Sequence, residues 1–539
     1  MAATRPVGHN VANYLSKGKL LVAVNCVAAL SIFFFGYDQG MMSGVNNSKD
    51  YIELMELGYT VDKNGQKNSP VITDSLRQGG IVAVYYLGTL VVGAAWGVFG
   101  AALQASAQND IWMIFARLIN GFGTGTLNAI VPVWATETAE HTSRGGFIAI
   151  EFTLNVFGVV VAYWLEFGLS FIDSGASPIR WRLPIAIQII PLLILLAIVT
   201  FFPESPRWLV KVGRLEEARW ILGRLRGDED PVDIERANRE FQEIISVVDL
   251  EESTPLSTNY LAMLFGKGSG KLHIGRRVQL VILLQIIAEW SGIAGVTVYA
   301  PTIFKLAGFD DFKSQWLSGL NNIIYCICTL VCVVTLDRIG RRWTLWWGAA
   351  GQGIALFLAG GLCRLTMNAN TAGDIHKASQ YGAGAASMVF IYTAIFGATW
   401  LTVPWVYPAE IFPLAVRTRG NAWGVVGWSI GNGWLTLLCP VMFDKINEKT
   451  FYVFGAANAL AIVLVWALYP ESSQRSLEDM DMLFAADTPW AWDAEVVFKD
   501  LKTQQEEALN AADEKAAVRM GYSSTGEEVS HIETAEKMV

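Results

Sequence analysis

Several charged and amide side chains of this 539-residue chain sit inside runs of apolar residues, where their chemistry needs a reason. Asp38 ends the segment Phe33-Phe34-Phe35-Gly36-Tyr37-Asp38, and Arg117 stands in the helical run that begins near Ile111. A charge within an apolar span is expensive and by default marks a pathway, a proton relay or a buried partner; these two also fit a purely structural ion pair. Glu151 and Asn155, at i and i+4, share one face of a helix and should point inward, since a lipid-exposed pair would be costly. Gln285 and Glu289 lie one helical turn apart in another apolar run. Asn321, Asn322, Trp405, Trp428 and Asn432 complete the candidates able to hydrogen-bond or stack within a buried cavity. No nucleophile–base–acid grouping, phosphate-cradling loop or cluster of metal ligands is present, so neither an enzyme nor a cofactor or metal site is expected.

The elements that must carry these residues are membrane helices. The chain is 53% hydrophobic and 17% charged, with a mean hydropathy of +0.36, too apolar for a soluble protein of this length. Eleven apolar runs can each cross a hydrocarbon core of about 30 Å: 20–45, 80–107, 111–134, 147–169, 183–202, 278–304, 316–336, 343–365, 383–407, 422–443 and 451–469. The first is too long for a cleavable signal peptide and lacks a small-residue cleavage site, so it should remain as a span. The six cysteines all fall within apolar runs without metal-ligand partners, and buried thiols are expected.

These runs imply five regions: a tail 1–19, a bundle 20–202, a linker 203–277, a second bundle 278–470 and a second tail 471–539. The linker carries twelve Lys and Arg residues, which by the positive-inside rule places it, and with it both termini, in the cytoplasm. Within it Leu215, Ala218, Ile221, Leu222 and Leu225 recur at helical spacing, predicting short amphipathic helices. The second tail supplies much of the net charge of −9 and lacks apolar periodicity beyond Phe484, predicting mostly disorder. The outward loop 46–78 contains one glycosylation sequon, Asn46-Asn47-Ser48, close to the membrane surface.

Three motifs place charge where a helix meets the cytoplasm: Pro203-Glu204-Ser205-Pro206-Arg207-Trp208-Leu209, Asp337-Arg338-Ile339-Gly340-Arg341-Arg342 and Pro470-Glu471-Ser472-Ser473-Gln474-Arg475. Each alone reads as a basic helix boundary. In this order, and with Gly36-Tyr37-Asp38, Arg117-Leu118-Ile119-Asn120-Gly121, Pro132-Val133-Trp134, Arg144-Gly145, Trp181-Arg182-Leu183-Pro184, Tyr299-Ala300-Pro301 and Glu410-Ile411-Phe412-Pro413, the chain resembles the sugar porter family of the major facilitator superfamily over roughly residues 20 to 485.

The resemblance implies an all-α polytopic fold of two helix bundles that moves a sugar or sugar-like solute by alternating access, as a monomer in the plasma membrane, with no nucleic-acid partner. It implies gating roles for Glu137, Arg144, Glu204, Arg207, Asp337, Arg338, Arg341, Glu410, Arg417 and Glu471, whose ion pairs would bias one of two arrangements of the bundles. An acidic residue and an Arg at the positions of Asp38 and Arg117 mark proton-coupled members, favouring symport over passive facilitation. A non-transporting sensor and an inactive isoform are the alternatives.

Substrate groups follow the family only in part. Anchoring on Gly292 and Tyr299 puts Ala288 and Glu289 where the family has two Gln, and Ala294 where it has an Asn. Glu289 could accept hydrogen bonds from a polyol or a sugar, take up a proton, or pair elsewhere. Trp405 falls at the position of the sugar-stacking Trp, with Pro404 breaking the backbone beside it.

One stretch fits poorly. Sugar porters have twelve spans and a charged turn in each half, whereas this chain carries only the copy at Asp337–Arg342 and joins the start of a second span to the body of a third near Leu90–Ala95. Two crossings within the 28 residues 80–107 would leave legs of only about 21 Å at 1.5 Å per residue. A single crossing would instead invert every later span against the positive-inside bias. An absent segment of roughly 20 residues, about the length of one membrane crossing, is the simplest account.

Overall fold

The computed structural model describes residues 10–63, 66–72, 94–138, 144–172, 177–227, 230–253, 259–268, 272–413, 416–473, 475, 477–486 and 488–503. Its main helices are α1 (Lys17–Val45), α2 (Ala94–Ala105), α3 (Asp110–Thr138), α4 (Arg144–Leu169), α5 (Ile179–Ile187) and α6 (Ile189–Val199) in the N-terminal half. The linker forms α7 (Leu215–Arg226) and α8 (Pro231–Ser253). The C-terminal half holds α9 (Ile274–Ala288), α10 (Ala294–Val298), α11 (Asp311–Ile339), α12 (Arg341–Thr371), α13 (Ile375–Thr399), α14 (Val403–Ile411), α15 (Arg417–Ile446) and α16 (Lys449–Leu468), and α17 (Leu477–Phe484) follows.

Among the described residues nine helical stretches are long and apolar enough to cross a bilayer. Of the eleven predicted runs, 111–134 lies within α3, interrupted by Arg117. The first half of the run 80–107, residues 80–93, lies outside the described residues and takes with it Leu90–Gly93 of the joint. From Ala94 onward α2 has 12 residues, which is about 18 Å of helix, packed antiparallel on α3. A small antiparallel hairpin, β1 (Gly58–Lys63) and β2 (Gln66–Ile72), stands beside the bundle. The dipeptide Asn64-Gly65 between them is the one most favourable to tight hairpins.

With no hydrophobic drive between helices in lipid, close backbone approach decides which helices pair. On α1, Gly36, Gly40 and Gly44 recur every four residues and face α4. A Cβ at Gly36 would stand 1.8 Å from the Asn155 carbonyl oxygen, and one at Gly40 2.6 Å from Val159 Cα. Gly40→Leu is therefore expected to force α1 off α4 and to leave little monodisperse protein in size-exclusion chromatography, whereas Gly18→Ala, where a Cβ meets nothing, should be neutral.

The predicted linker helices are present. Ala218, Ile221, Leu222 and Leu225 of α7 are buried against Ala12, Leu20, Phe241 and Ile244, while Leu215 is exposed. Buried Arg226 forks onto Glu240 at 2.7 and 2.8 Å and donates to the Thr138 carbonyl at 2.9 Å, fastening the linker to the end of α3.

Three local expectations change. Cys26 is exposed, unlike buried Cys332, Cys363 and Cys439, because α1 is apolar all round and its pattern does not say which face turns outward. Asn46 is only 4% exposed at the end of α1, so this conformation leaves no room for an oligosaccharide at the sequon. The first part of the second tail is ordered up to residue 503, where Ala491, Ala494 and Phe498 are buried and Arg475 pairs with Glu495 at 2.6 Å, while residues 504–539 lie outside the described residues. A face built on two alanines and one phenylalanine carries little hydrophobic signal.

Candidate functional site

A cavity partly open to solvent lies between the halves, where small-solute sites commonly form. From the N-terminal half α1 contributes Phe35 and Gln39, and α4 contributes Phe152 and Asn155. Opposite them stand Gln285 and Glu289 at the end of α9, Tyr325 of α11, Trp400, Pro404 and Trp405 at the α13–α14 break, and Trp428 and Asn432 of α15.

Glu289 owes its position to a backbone irregularity. Between Glu289 and Ile293 the helix widens into a π-type turn centred on Gly292, at φ +114°. A Cβ at Gly292 would stand 3.0 Å from the Phe454 ring. Glycine meets both demands, and Gly292→Ala should destabilise the fold by about 1–3 kcal/mol, read as a lowered Tm in thermal unfolding. On the other side Gly431 lets α15 close on Ile286 and the Glu289 Cβ, at 3.0 and 3.2 Å from an added Cβ. Trp428 stands beside Glu289 in the cavity wall, and Glu289 Oε2 is buried with no hydrogen-bond partner in the structure. An unsatisfied acceptor at a cavity wall is available to a solute donor.

Gln285 donates from Nε2 to the Pro404 carbonyl at 3.0 Å, tying α9 to the break before α14. That break runs over Trp400 to Thr402, between α13 and α14, and Trp400 is pinned there by donating to the Leu345 carbonyl at 2.9 Å. A row of rings crosses the cavity, Phe35–Trp428 at 5.5 Å, Trp428–Trp405 at 5.9 Å and Trp405–Phe152 at 5.4 Å. Asn432 accepts from Thr436 at 3.0 Å.

Six of the predicted solute residues line the cavity: Asn155, Gln285, Glu289, Trp405, Trp428 and Asn432. Glu151 is buried one turn from Asn155 and is not part of the lining. Asn321 and Asn322 are buried but are not part of the lining, to which α11 contributes Tyr325 one turn further on. Phe35, Gln39 and Phe152 were not anticipated. Gln39, a lone amide in the apolar run one turn after Phe35, was the available signal.

Asp38 and Arg117 meet at 3.8 Å with both side chains almost wholly buried. Asn120 donates to Asp38 Oδ1 at 3.1 Å, and Arg117 donates to Gln104 Oε1 at 3.2 Å. Gln104 and Asn120 are additions to the predicted pair. Asn120 lies three residues past Arg117, on the same helix face.

The predicted gating charges gather at the linker end of the bundle. Arg341 forks onto Glu410 at 2.6 and 3.0 Å, and Ser472 donates to Glu410 at 2.6 Å. Glu471 accepts the Arg341 and Arg342 backbone N–H groups at 2.8 and 3.1 Å, capping α12, where a carboxylate is favoured by the helix dipole. Glu137 accepts from Ser205 at 2.5 Å. Arg417 reaches the Phe412 carbonyl at 3.5 Å; Glu204 and Arg338 are exposed, and Arg207 is half-buried. The side chains of Arg144 and Asp337 lie outside the described residues. At the hairpin end the halves touch directly: Tyr163 donates to the Gln315 carbonyl at 2.9 Å, Arg180 to its side chain at 3.0 Å, and Phe167 packs on Phe312 at 5.7 Å.

Comparison with known proteins decides the family. The sequence profile described as sugar (and other) transporter matches residues 24–484. The chain belongs to that family. It is a polytopic membrane transporter, not an enzyme. The MFS-type transporter oryC of Aspergillus oryzae is 31% identical over 480 residues, covering 87% of this chain and 86% of that one. Sugar transporter STL1 of Saccharomyces cerevisiae is 28% identical over 493 residues, covering 87% and 82%. Among solved structures, the proton:xylose symporter XylE of E. coli superposes with a TM-score of 0.66 at 22% identity, over 87% of this chain and 100% of that one. The transporter thus has the major facilitator fold of two helical halves around a central cavity.

Proposed function

We propose that this protein carries a neutral, polyhydroxylated solute, a sugar or a polyol, across the plasma membrane by alternating access and together with a proton. One observation carries the reading: a cavity between the halves presents Gln285, Glu289, Asn155 and Asn432 beside a row of aromatic rings, the combination that satisfies ring hydroxyls and covers a sugar face. Names of relatives, a sugar transporter and a proton:xylose symporter among them, agree with it.

In this reading Asp38 is the proton carrier and Arg117 its counter-ion, while Glu151, Asn321 and Asn322 support the solute site from behind. Linker and termini face the cytoplasm, and the protein acts as a monomer. The charges at the linker end form the inner gate. Arg341–Glu410 joins elements within the C-terminal half and Arg226–Glu240 joins the two linker helices, while the halves meet at the hairpin end, an arrangement suited to a cavity facing the cytoplasm. Arg144, Glu204, Arg207, Asp337, Arg338 and Arg417 would re-pair across the halves when the cavity turns outward.

Purified protein in proteoliposomes tests the function: an acid-outside gradient should drive uptake of radiolabelled solute, with competition among hexoses, pentoses, disaccharides, polyols and sugar acids defining the substrate. Absence of uptake for every class would remove the transport reading. Trp405→Ala should weaken apparent affinity by about three- to tenfold, the loss of about 0.5–1.5 kcal/mol of ring contact, checked by the concentration dependence of uptake.

A further inference from the structure

The folded part of the second tail carries an apolar surface that the transport cycle does not use. Residues 491–503 are helical, and Ala491, Ala494 and Phe498 turn one face into the protein. A neighbouring flank, Trp492, Val496 and Lys499 at i, i+4 and i+7, is exposed, with Val496 at 59%. Trp490 and Trp492 stack at 5.0 Å with their planes 9° apart, and Trp492 packs on Trp466 at 4.6 Å.

Trp466 identifies what covers that flank. It stands near the linker end of the membrane-crossing α16, on the same outward face as Leu460 and Val463, all more than half exposed. Such a face on a spanning helix is lipid-facing. Near the matching end of α12, Trp343 and Trp347 are exposed as well. Tryptophans clustered at one depth form the belt that settles at the membrane–water boundary, and the tail's Trp pair extends this belt from the spanning helices onto the tail helix. Asp493 and Asp500 are exposed and stand about a quarter turn round the helix from Trp492, at the water-side edge of the flank, while Lys499 can reach a lipid phosphate by snorkelling.

We propose that the helix 491–503 is a membrane-interface helix. Its Trp492–Val496–Lys499 flank rests among the headgroups of the leaflet on the linker side, held there by the Trp490–Trp492–Trp466 stack. The occupant of the exposed flank is lipid, at the shallow depth of an interfacial amphipathic helix.

Spin labels on the full-length protein test this in vesicles of phosphatidylcholine and phosphatidylglycerol. Label sites are V496C on the flank and, as an aqueous reference, E235C on the exposed face of α8, in a background carrying Cys26→Ser, Cys326→Ser and Cys328→Ser. Collision with oxygen, which partitions into lipid, should be high at position 496, and collision with a water-soluble nickel complex severalfold lower there than at 235. Adding Trp492→Asp should bring 496 towards the values at 235. Equal nickel accessibility at both sites would overturn the proposal. So would shielding of 496 from both colliders, which would mean that residues beyond 503 or a second protein copy cover the flank.

Discussion

Asp38→Asn should abolish uphill accumulation while leaving downhill flux of the same solute. One pH unit is worth about 1.4 kcal/mol, so at one proton per solute it supports up to about tenfold accumulation; the variant should reach a ratio near one. Asp38 and Arg117 are buried together at 3.8 Å, with Asn120 and Gln104 each holding one partner. Such a pair is costly to leave half-neutralised. In the proposed reading, protonating Asp38 would remove the negative partner of Arg117, shift Arg117 towards Gln104 and so couple proton binding to movement of α1 against α3. Asparagine keeps the size and the hydrogen bond from Asn120 but cannot titrate, and it holds position 38 permanently in a form equivalent to protonated Asp38. The measurement is solute accumulation at an imposed pH gradient against equilibrium exchange without one. Gradient-driven accumulation surviving in Asp38→Asn would sink the assignment.

Glu289→Ala is expected to weaken solute affinity by about 5- to 100-fold, the roughly 1–3 kcal/mol lost when a buried solute hydroxyl is left without its acceptor. Its Oε2 is buried at the cavity wall without a partner in the structure, so a solute hydroxyl binding there satisfies an otherwise unmet acceptor. Glu289→Gln retains hydrogen bonding but turns part of an acceptor into a donor, and should change the order of preference among sugars more than the best affinity. Among the described residues no Lys, Arg or His lines the cavity. A sugar acid would therefore bury its carboxylate in the cavity without a countercharge, and should compete poorly with its neutral parent. Isothermal titration of the purified protein with a neutral sugar, a polyol and a sugar acid checks all three outcomes. Equal affinity for the acid and its neutral parent in the wild type would refute the charge argument.

Some of the site was readable before any coordinates. An ionisable group inside an apolar run carries a penalty that only a partner or a cavity relieves, which is why Asp38, Arg117 and Glu289 stood out and were found buried with partners or at a cavity wall. The i, i+4 rule placed Asn155 on the cavity face, and Glu151 one turn away shares its burial but not the lining. Asn321 and Asn322 mark the limit of the method: polarity within a span predicts that a residue turns away from lipid, and does not say whether it meets a solute or lies behind the residue that does. Phe35 and Phe152 carried no signal, since an aromatic ring is equally at home against lipid, core or sugar.

The order of helices, the charged caps of the linker end and the amphipathic α7 follow from local composition, because lipid demands apolar spans of set length and water demands charge at their ends. The one stretch at odds with the family, near Leu90–Ala95, was likewise visible as a count of residues against bilayer thickness. Tertiary structure alone decided which helix faces meet. It set Gly36 and Gly40 against the α4 backbone, turned Cys26 outward and Asn46 inward, and folded the tail on Ala491, Ala494 and Phe498. It also brought Trp405 of one half to 5.4 Å from Phe152 of the other. In a membrane every face of a helix can be apolar, so hydrophobicity does not tell the buried face from the lipid one. Shape does, through the small residues that admit a neighbouring backbone and the few polar groups that need a partner.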